Sequence, residues 1–93
     1  MTDAAETTPG KKGLLTGILL ALAGVAHFVK PELFTSITAT AFPQDVDKHL
    51  QINGSIETAL GVGLIVPRTR KVATVGVVGY VLYLAANALR NRA

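Results

Sequence analysis

Glu57 is the residue of this sequence best placed to do chemistry. It lies near the middle of Leu50–Val66, a run of 17 residues in which it is the only charged side chain. An acid at that depth in lipid costs about 2.5–3.5 kcal/mol on insertion scales and calls for a partner. Partners can be sought by depth, counting inward at 1.5 Å per residue from the side on which the first apolar run ends, the second begins and the third ends. On that count Glu57 lies roughly 10 Å in, Tyr83 roughly 9 Å, Asn53 roughly 4–5 Å, and His27 and Asn87 roughly 3 Å. Asn53 and Glu57 are four apart, as are Tyr83 and Asn87, so each pair shares a helix face. The expectation is a buried polar cluster of His27, Asn53, Glu57, Tyr83 and Asn87. It acts either as a proton-handling or headgroup-binding pocket or as a hydrogen-bonded packing device.

Other chemistry is thinly represented. The chain has no cysteine, which excludes a disulfide scaffold, a Cys-ligated zinc site and a thiol nucleophile. Two histidines and six acids leave little for a metal cage, so no metal and no cofactor are expected. No Ser/His/Asp arrangement and no histidine pair able to hold a haem is visible, which points away from an enzyme. Gly61-Val62-Gly63 and Gly76-Val77-Val78-Gly79 lack the spacing and context of a nucleotide loop.

The elements that must carry the cluster are three apolar runs: Gly13–Val29, Leu50–Val66 and Val72–Leu89, of 17, 17 and 18 residues. As helices they reach about 25–27 Å, the short end of what crosses a bilayer, and none alternates as a half-buried strand does. Residues of the hydrophobic set make up 49% of the 93-residue chain before its nine glycines are added, and charged residues only 16%. Soluble domains carry about 45–50% apolar residues with glycine included and about 25% charged ones. The fold class read from this is an all-α membrane protein with three transmembrane helices, residues 13–93 forming one domain behind a polar, mobile head.

Between the first two runs, Glu32–Phe42 is too short to cross. Leu33, Phe34, Ile37 and Ala41 fall near helical spacing, so residues 31–42 are expected as a short interfacial helix, with an irregular loop as the alternative. Phe42-Pro43 ends it, Asp45 is placed to cap the next helix, and Lys48 falls in that helix's first turn. Lys11-Lys12 before an apolar run resembles a secretory signal with Ala21-Leu22-Ala23 as the cleavage site, but the run continues to Val29, which argues for a retained helix.

The basic residues border the apolar runs, as membrane anchoring requires, instead of gathering on one face with aromatics as nucleic-acid binding would. Lys30, Arg68, Arg70 and Lys71 read as headgroup or topology anchors. The amino end and the Arg68–Lys71 turn carry five Lys/Arg and the other side four, which places the amino end in the cytoplasm. Small residues recur at helical spacing: Gly13, Gly17 and Ala21; Ser55, Ala59 and Gly63; Gly76 and Gly79. Such ridges bring helices close in lipid, within the chain or against a partner subunit.

Two stretches resemble the DoxX-like family of small integral membrane proteins. Ala23-Gly24-Val25-Ala26-His27-Phe28-Val29-Lys30-Pro31-Glu32 is similar to the end of that family's first helix. Gly54-Ser55-Ile56-Glu57, followed by Leu60 to Arg70, is similar to its second helix and basic turn. Ala86-Asn87 falls where the family often has Pro-Ala-Asn. The resemblance covers roughly residues 13–89. It departs in two places, since family members usually carry a fourth helix where this chain has three, and Ala85 stands where the proline would be. The family name comes from a subunit of a thiosulfate:quinone oxidoreductase, and other members accompany redox enzymes.

These readings together lead to a small accessory subunit of a larger membrane complex in the inner or plasma membrane, in contact with lipids and not with nucleic acid, such as part of a multisubunit lipid transporter. The resemblance implies a second reading, a membrane component of a quinone-linked oxidoreductase in which Glu57 and His27 pass protons. A small homo-oligomeric proton or ion pathway around Glu57 is a third.

Overall fold

The architecture comes from a computed structural model that describes the backbone of residues 2–92 and the side chains of residues 11–92. The expectation of a mobile polar head over residues 1–10 lies outside the residues described to side-chain level. The chain is all-α, with no strand among the described residues. Four helices follow in order: α1 (Thr2–Val29), a short α2 (Thr35–Ala41), α3 (Val46–Ile65) and α4 (Arg70–Asn91). Single 3₁₀ turns, Pro31–Leu33 and Pro67–Thr69, separate α1 from α2 and α3 from α4.

The two prolines set two of the boundaries. A residue before proline is disfavoured in the α region. Lys30 accordingly has φ −135° and ψ 69°, and Val66 has φ −82° and ψ 118°. The start of α3 is built differently. Asp45 does stand at its N-cap position, but with left-handed backbone (φ 58°, ψ 44°) and no hydrogen bond from its carboxylate to the helix, so the expected side-chain cap is absent. The end of α3 is held from outside: the Thr69 hydroxyl donates to the Gly63 carbonyl at 2.7 Å, and the Arg70 guanidinium donates to Leu64 at 2.7 Å and to Ile65 at 3.3 Å. These carbonyls are among the four that a helix end leaves without internal partners.

The core is the antiparallel pair α1 and α3, packed nearly backbone on backbone. A Cβ placed on Gly17 would come within 2.6 Å of the Gly61 carbonyl oxygen. One on Gly54 would come within 2.7 Å of His27 Cβ and 2.9 Å of the Gly24 carbonyl oxygen. One on Gly61 would meet the Gly17 carbonyl oxygen at 2.6 Å and Ala21 Cα at 2.7 Å. Only glycine permits that approach, and without a solvent driving force close packing of this kind is what joins helices in lipid. Of the anticipated small-residue ridges, Gly17 and Ala21 belong to this contact. Gly63 and Gly76 serve α4 instead, against Ala73 and Leu60, and Gly13 makes room for the Arg70 side chain. Ser55, Ala59 and Gly79 face outward, and nothing lies within 4 Å of a Cβ at Gly79.

The register of this pair explains α2. Residues near 17 on α1 lie beside 61 to 65 on α3, and Gly24 beside 54 to 58. Val29, where α1 ends, therefore falls level with α3 residues near 51, and α3 runs on past it by about one and a half turns. The expected interfacial helix takes that vacated position. It is a 3₁₀ turn followed by α2, and it buries Thr38 and Ala41 against α3 and α4. Asn91 clamps the far side by donating its side-chain amide to the Ala41 carbonyl at 2.9 Å.

Two helices, not the three expected, are long and apolar enough to cross a membrane: the spans Lys11–Val29 and Pro67–Asn91. Little of either is buried within the protein, 17% and 11%, so neither is the enclosed core helix of a soluble fold. α3 falls short because it carries Asp47, Lys48, Gln51, Asn53, Ser55, Glu57 and Thr58, several of which are turned toward its neighbours.

Candidate functional site

α3 brings Asn53 and Glu57 to one face, as their four-residue spacing requires, and α1 brings His27 against the same face. His27 and Asn53 are among the few buried polar side chains, 5% and 3% exposed. The His27 ring is fixed on two sides. Its Nδ1–H donates to the Ala23 carbonyl at 2.8 Å, and the ring stacks on Phe34 with centroids 3.9 Å apart. This directs Nε2 at Glu57 Oε2, 3.8 Å away, beyond hydrogen-bond length.

The bonded partner of Glu57 is Tyr80, whose hydroxyl donates to Oε2 at 2.5 Å. Tyr80 replaces Tyr83 in the expected cluster. Tyr83 is one turn further along α4, packed against Phe42 with centroids 5.3 Å apart, and its carbonyl accepts the Asn87 amide at 2.8 Å. The physical reason is the helix bounds. α3 begins four residues before Leu50 and α4 ends two after Leu89, so the depth count started at the wrong levels. Measured from the true ends, Glu57 stands eleven residues beyond Val46 and Tyr80 eleven before Asn91. Asn87 is likewise outside the cluster: its Oδ1 lies 3.5 Å from Arg90 Nη2, and it lines a separate polar recess with His49, Arg90 and Asn91.

The cluster closes one end of an apolar cavity of about 480 Å³. Phe34, Ile37, Thr38 and Ala41 form one wall, and Val81, Leu84, Ala85 and Ala88 of α4 form the other. The polar end consists of His27, Asn53, Glu57 and Tyr80. Small-molecule sites are generally of this kind, mostly apolar with a few convergent polar groups, and about 300–1,000 Å³ in volume. Asn53 Oδ1 is buried there without a hydrogen-bond partner, the only such side-chain atom among the described residues. A buried acceptor left unpaired is destabilising by about 1–3 kcal/mol, so this atom is open to a donor such as a water or a ligand group.

Phe42 and Ala41 divide this cavity from the second recess, about 320 Å³, whose lining includes Gln44, Asp45 and His49. Phe42 is buried and stacks on His49 with centroids 4.0 Å apart. Helical spacing placed Phe34 on the short interfacial segment and Phe42 at its end, but not in the site, because the position of that segment depends on the offset between α1 and α3.

The four candidate anchors divide. Lys30, Arg68 and Lys71 are exposed, whereas Arg70 reaches inward to the end of α3 beneath Gly13 and is a structural cap. That contact puts the described start of α1, Lys11 and Lys12, at the same end of the bundle as the Arg68–Lys71 turn. Among the described residues, no three His, Asp or Glu side chains are grouped to hold a metal ion.

A family model described as a domain of unknown function, DUF8561, matches residues 15–91, which include every residue of the cavity. No curated protein and no solved structure matches the chain.

Proposed function

The chain belongs to the DUF8561 family, whose description assigns no activity, and from its geometry we propose an integral membrane protein that crosses three times and holds one amphipathic molecule, as an accessory component of a larger membrane assembly. The observation that carries this reading is the unpaired Asn53 Oδ1 at the polar end of an otherwise apolar cavity.

Several features support the membrane placement. Leu15, Leu22 and Val29 on α1 are 59%, 60% and 71% exposed, and Val72, Val75 and Leu82 on α4 are 75%, 72% and 63% exposed. Apolar faces of this extent suit acyl chains or another protein and not water. α3 joins as the third crossing because its 20 residues reach about 30 Å and its charged mid-point is turned toward His27 and Tyr80. The five Lys/Arg of the amino end and the α3–α4 turn favour a cytoplasmic amino end.

The outward small residues Ser55, Ala59 and Gly79 leave ridges for a partner helix, and a cavity for an amphiphile suits a lipid transporter. A second reading follows the resemblance to DoxX-like proteins, a component of a quinone-linked oxidoreductase. The contact of Glu57 with Tyr80, beside His27, favours it, since carboxyl, phenol and imidazole groups are chemically able to relay protons. Purification of the chain from its native locus in mild detergent, followed by native mass spectrometry, tests the proposal. The expected result is a larger assembly with one small amphiphile per chain, lost when Ala85→Phe fills the exposed wall of the cavity. A lone polypeptide without bound amphiphile would refute it.

A further inference from the structure

Resting on the reading of the cavity as an amphiphile site, we infer that its polar end selects a cationic head, a protonated primary amine on an alkyl chain. Three acceptor atoms at that end have no hydrogen-bond partner among the described residues: Asn53 Oδ1, the second oxygen of Glu57 (Oε1), and His27 Nε2. For His27 this follows from its tautomer, because Nδ1 carries the proton given to the Ala23 carbonyl and the neutral ring keeps a lone pair on Nε2. For Glu57 it follows from the Tyr80 contact, because the phenol hydroxyl donates to Oε2 and leaves Oε1 as the open oxygen of the carboxyl group. The Tyr80 hydroxyl is already engaged by Glu57, and the donors that stay open, the Asn53 amide nitrogen and the Thr38 hydroxyl, carry no charge.

An ammonium matches the open acceptors in number and Glu57 in charge: it carries three donors, one for each open acceptor, and one positive charge for one carboxylate. A buried carboxylate without a counter-charge is strongly destabilising, and a hydroxyl head would leave that charge uncompensated. A carboxylate or phosphate head would meet Glu57 as a like charge. The Phe34 ring, stacked on His27 and lining the cavity, adds an aromatic face of the kind that attracts cations. The alkyl chain then lies along Ile37, Val81 and Leu84.

The test uses the full ¹⁵N-labelled chain in phosphatidylcholine nanodiscs at pH 8, titrated separately with octylammonium, 1-octanol and octanoate at matched membrane mole fractions. The reporters are the Asn53 side-chain amide and the His27 ring nitrogens. Octylammonium is expected to shift both saturably, at least tenfold more tightly than 1-octanol, with octanoate silent and Glu57→Gln weakening the amine at least tenfold. Equal binding of 1-octanol and octylammonium would overturn the head-group assignment while leaving the amphiphile site standing, even if Glu57→Gln fails to fold. Silence of all three probes would overturn both.

Discussion

Gly61→Ala adds one methyl group at the tightest part of the α1–α3 contact, and its cost can be worked from the distances there. The new Cβ would lie 2.6 Å from the Gly17 carbonyl oxygen and 2.7 Å from Ala21 Cα. Non-bonded carbon contacts settle at about 3.5–4.0 Å, so the two helices must part by about 1 Å. A gap of that size forfeits about half the attraction of each contact along the interface. Overpacking typically costs about 1–3 kcal/mol, and because the atoms met here are main chain, which cannot rotate away, we expect about 3 kcal/mol. Gly79→Ala is the control: nothing lies within 4 Å of its Cβ, and alanine is favoured over glycine in helices by about 1 kcal/mol. Reversible unfolding in mixed micelles with rising dodecyl sulfate, followed by circular dichroism, should separate the two variants by about 3–4 kcal/mol, more than a hundredfold in the equilibrium constant. Equal stabilities, or a greater loss at Gly79, would refute the backbone-on-backbone packing.

Arg70→Ala removes the donor from the Leu64 and Ile65 carbonyls and should destabilise by about 1–3 kcal/mol in the same assay, with Arg70→Lys restoring only part. Arg68→Ala, at an exposed position, should be near neutral; an equal loss there would contradict the assignment of Arg70 as a cap. Asp45→Gly relieves a left-handed non-glycine residue whose carboxylate caps nothing, and should stabilise by about 1 kcal/mol. A loss of stability would show that the Asp45 side chain has a role the geometry does not reveal.

The sequence was legible where a local rule decides the outcome. Lys30-Pro31 and Val66-Pro67 end helices because of the steric demand of proline, and the four-residue spacing of Asn53 and Glu57 put both on one inward face. Depth matching also contained the right principle, since it pairs Glu57 with Tyr80 once the helix ends are known. It failed because hydropathy marks where apolar side chains begin and end, and α3 starts in the polar stretch Val46–His49, which no apolar run reveals. Spacing by four found Gly17 and Ala21 but passed over Gly24, Gly54 and Gly61. The signal for these was spacing by seven, 17 with 24 and 54 with 61, which keeps one face of two antiparallel helices in contact over two turns. The role of Arg70 and the position of α2 were not legible, because both depend on how far one helix is displaced along another.

A double-mutant cycle between Glu57→Gln and Tyr80→Phe tests the account at its centre, the inward-facing acid bonded to Tyr80. Hydrogen bonds to charged groups contribute about 1.5–3 kcal/mol, so a coupling energy in that range is predicted. The parallel cycle with Tyr83→Phe should give coupling near zero, because Tyr83 packs on Phe42 and not on Glu57. Coupling to Tyr83 with none to Tyr80 would contradict the site as described.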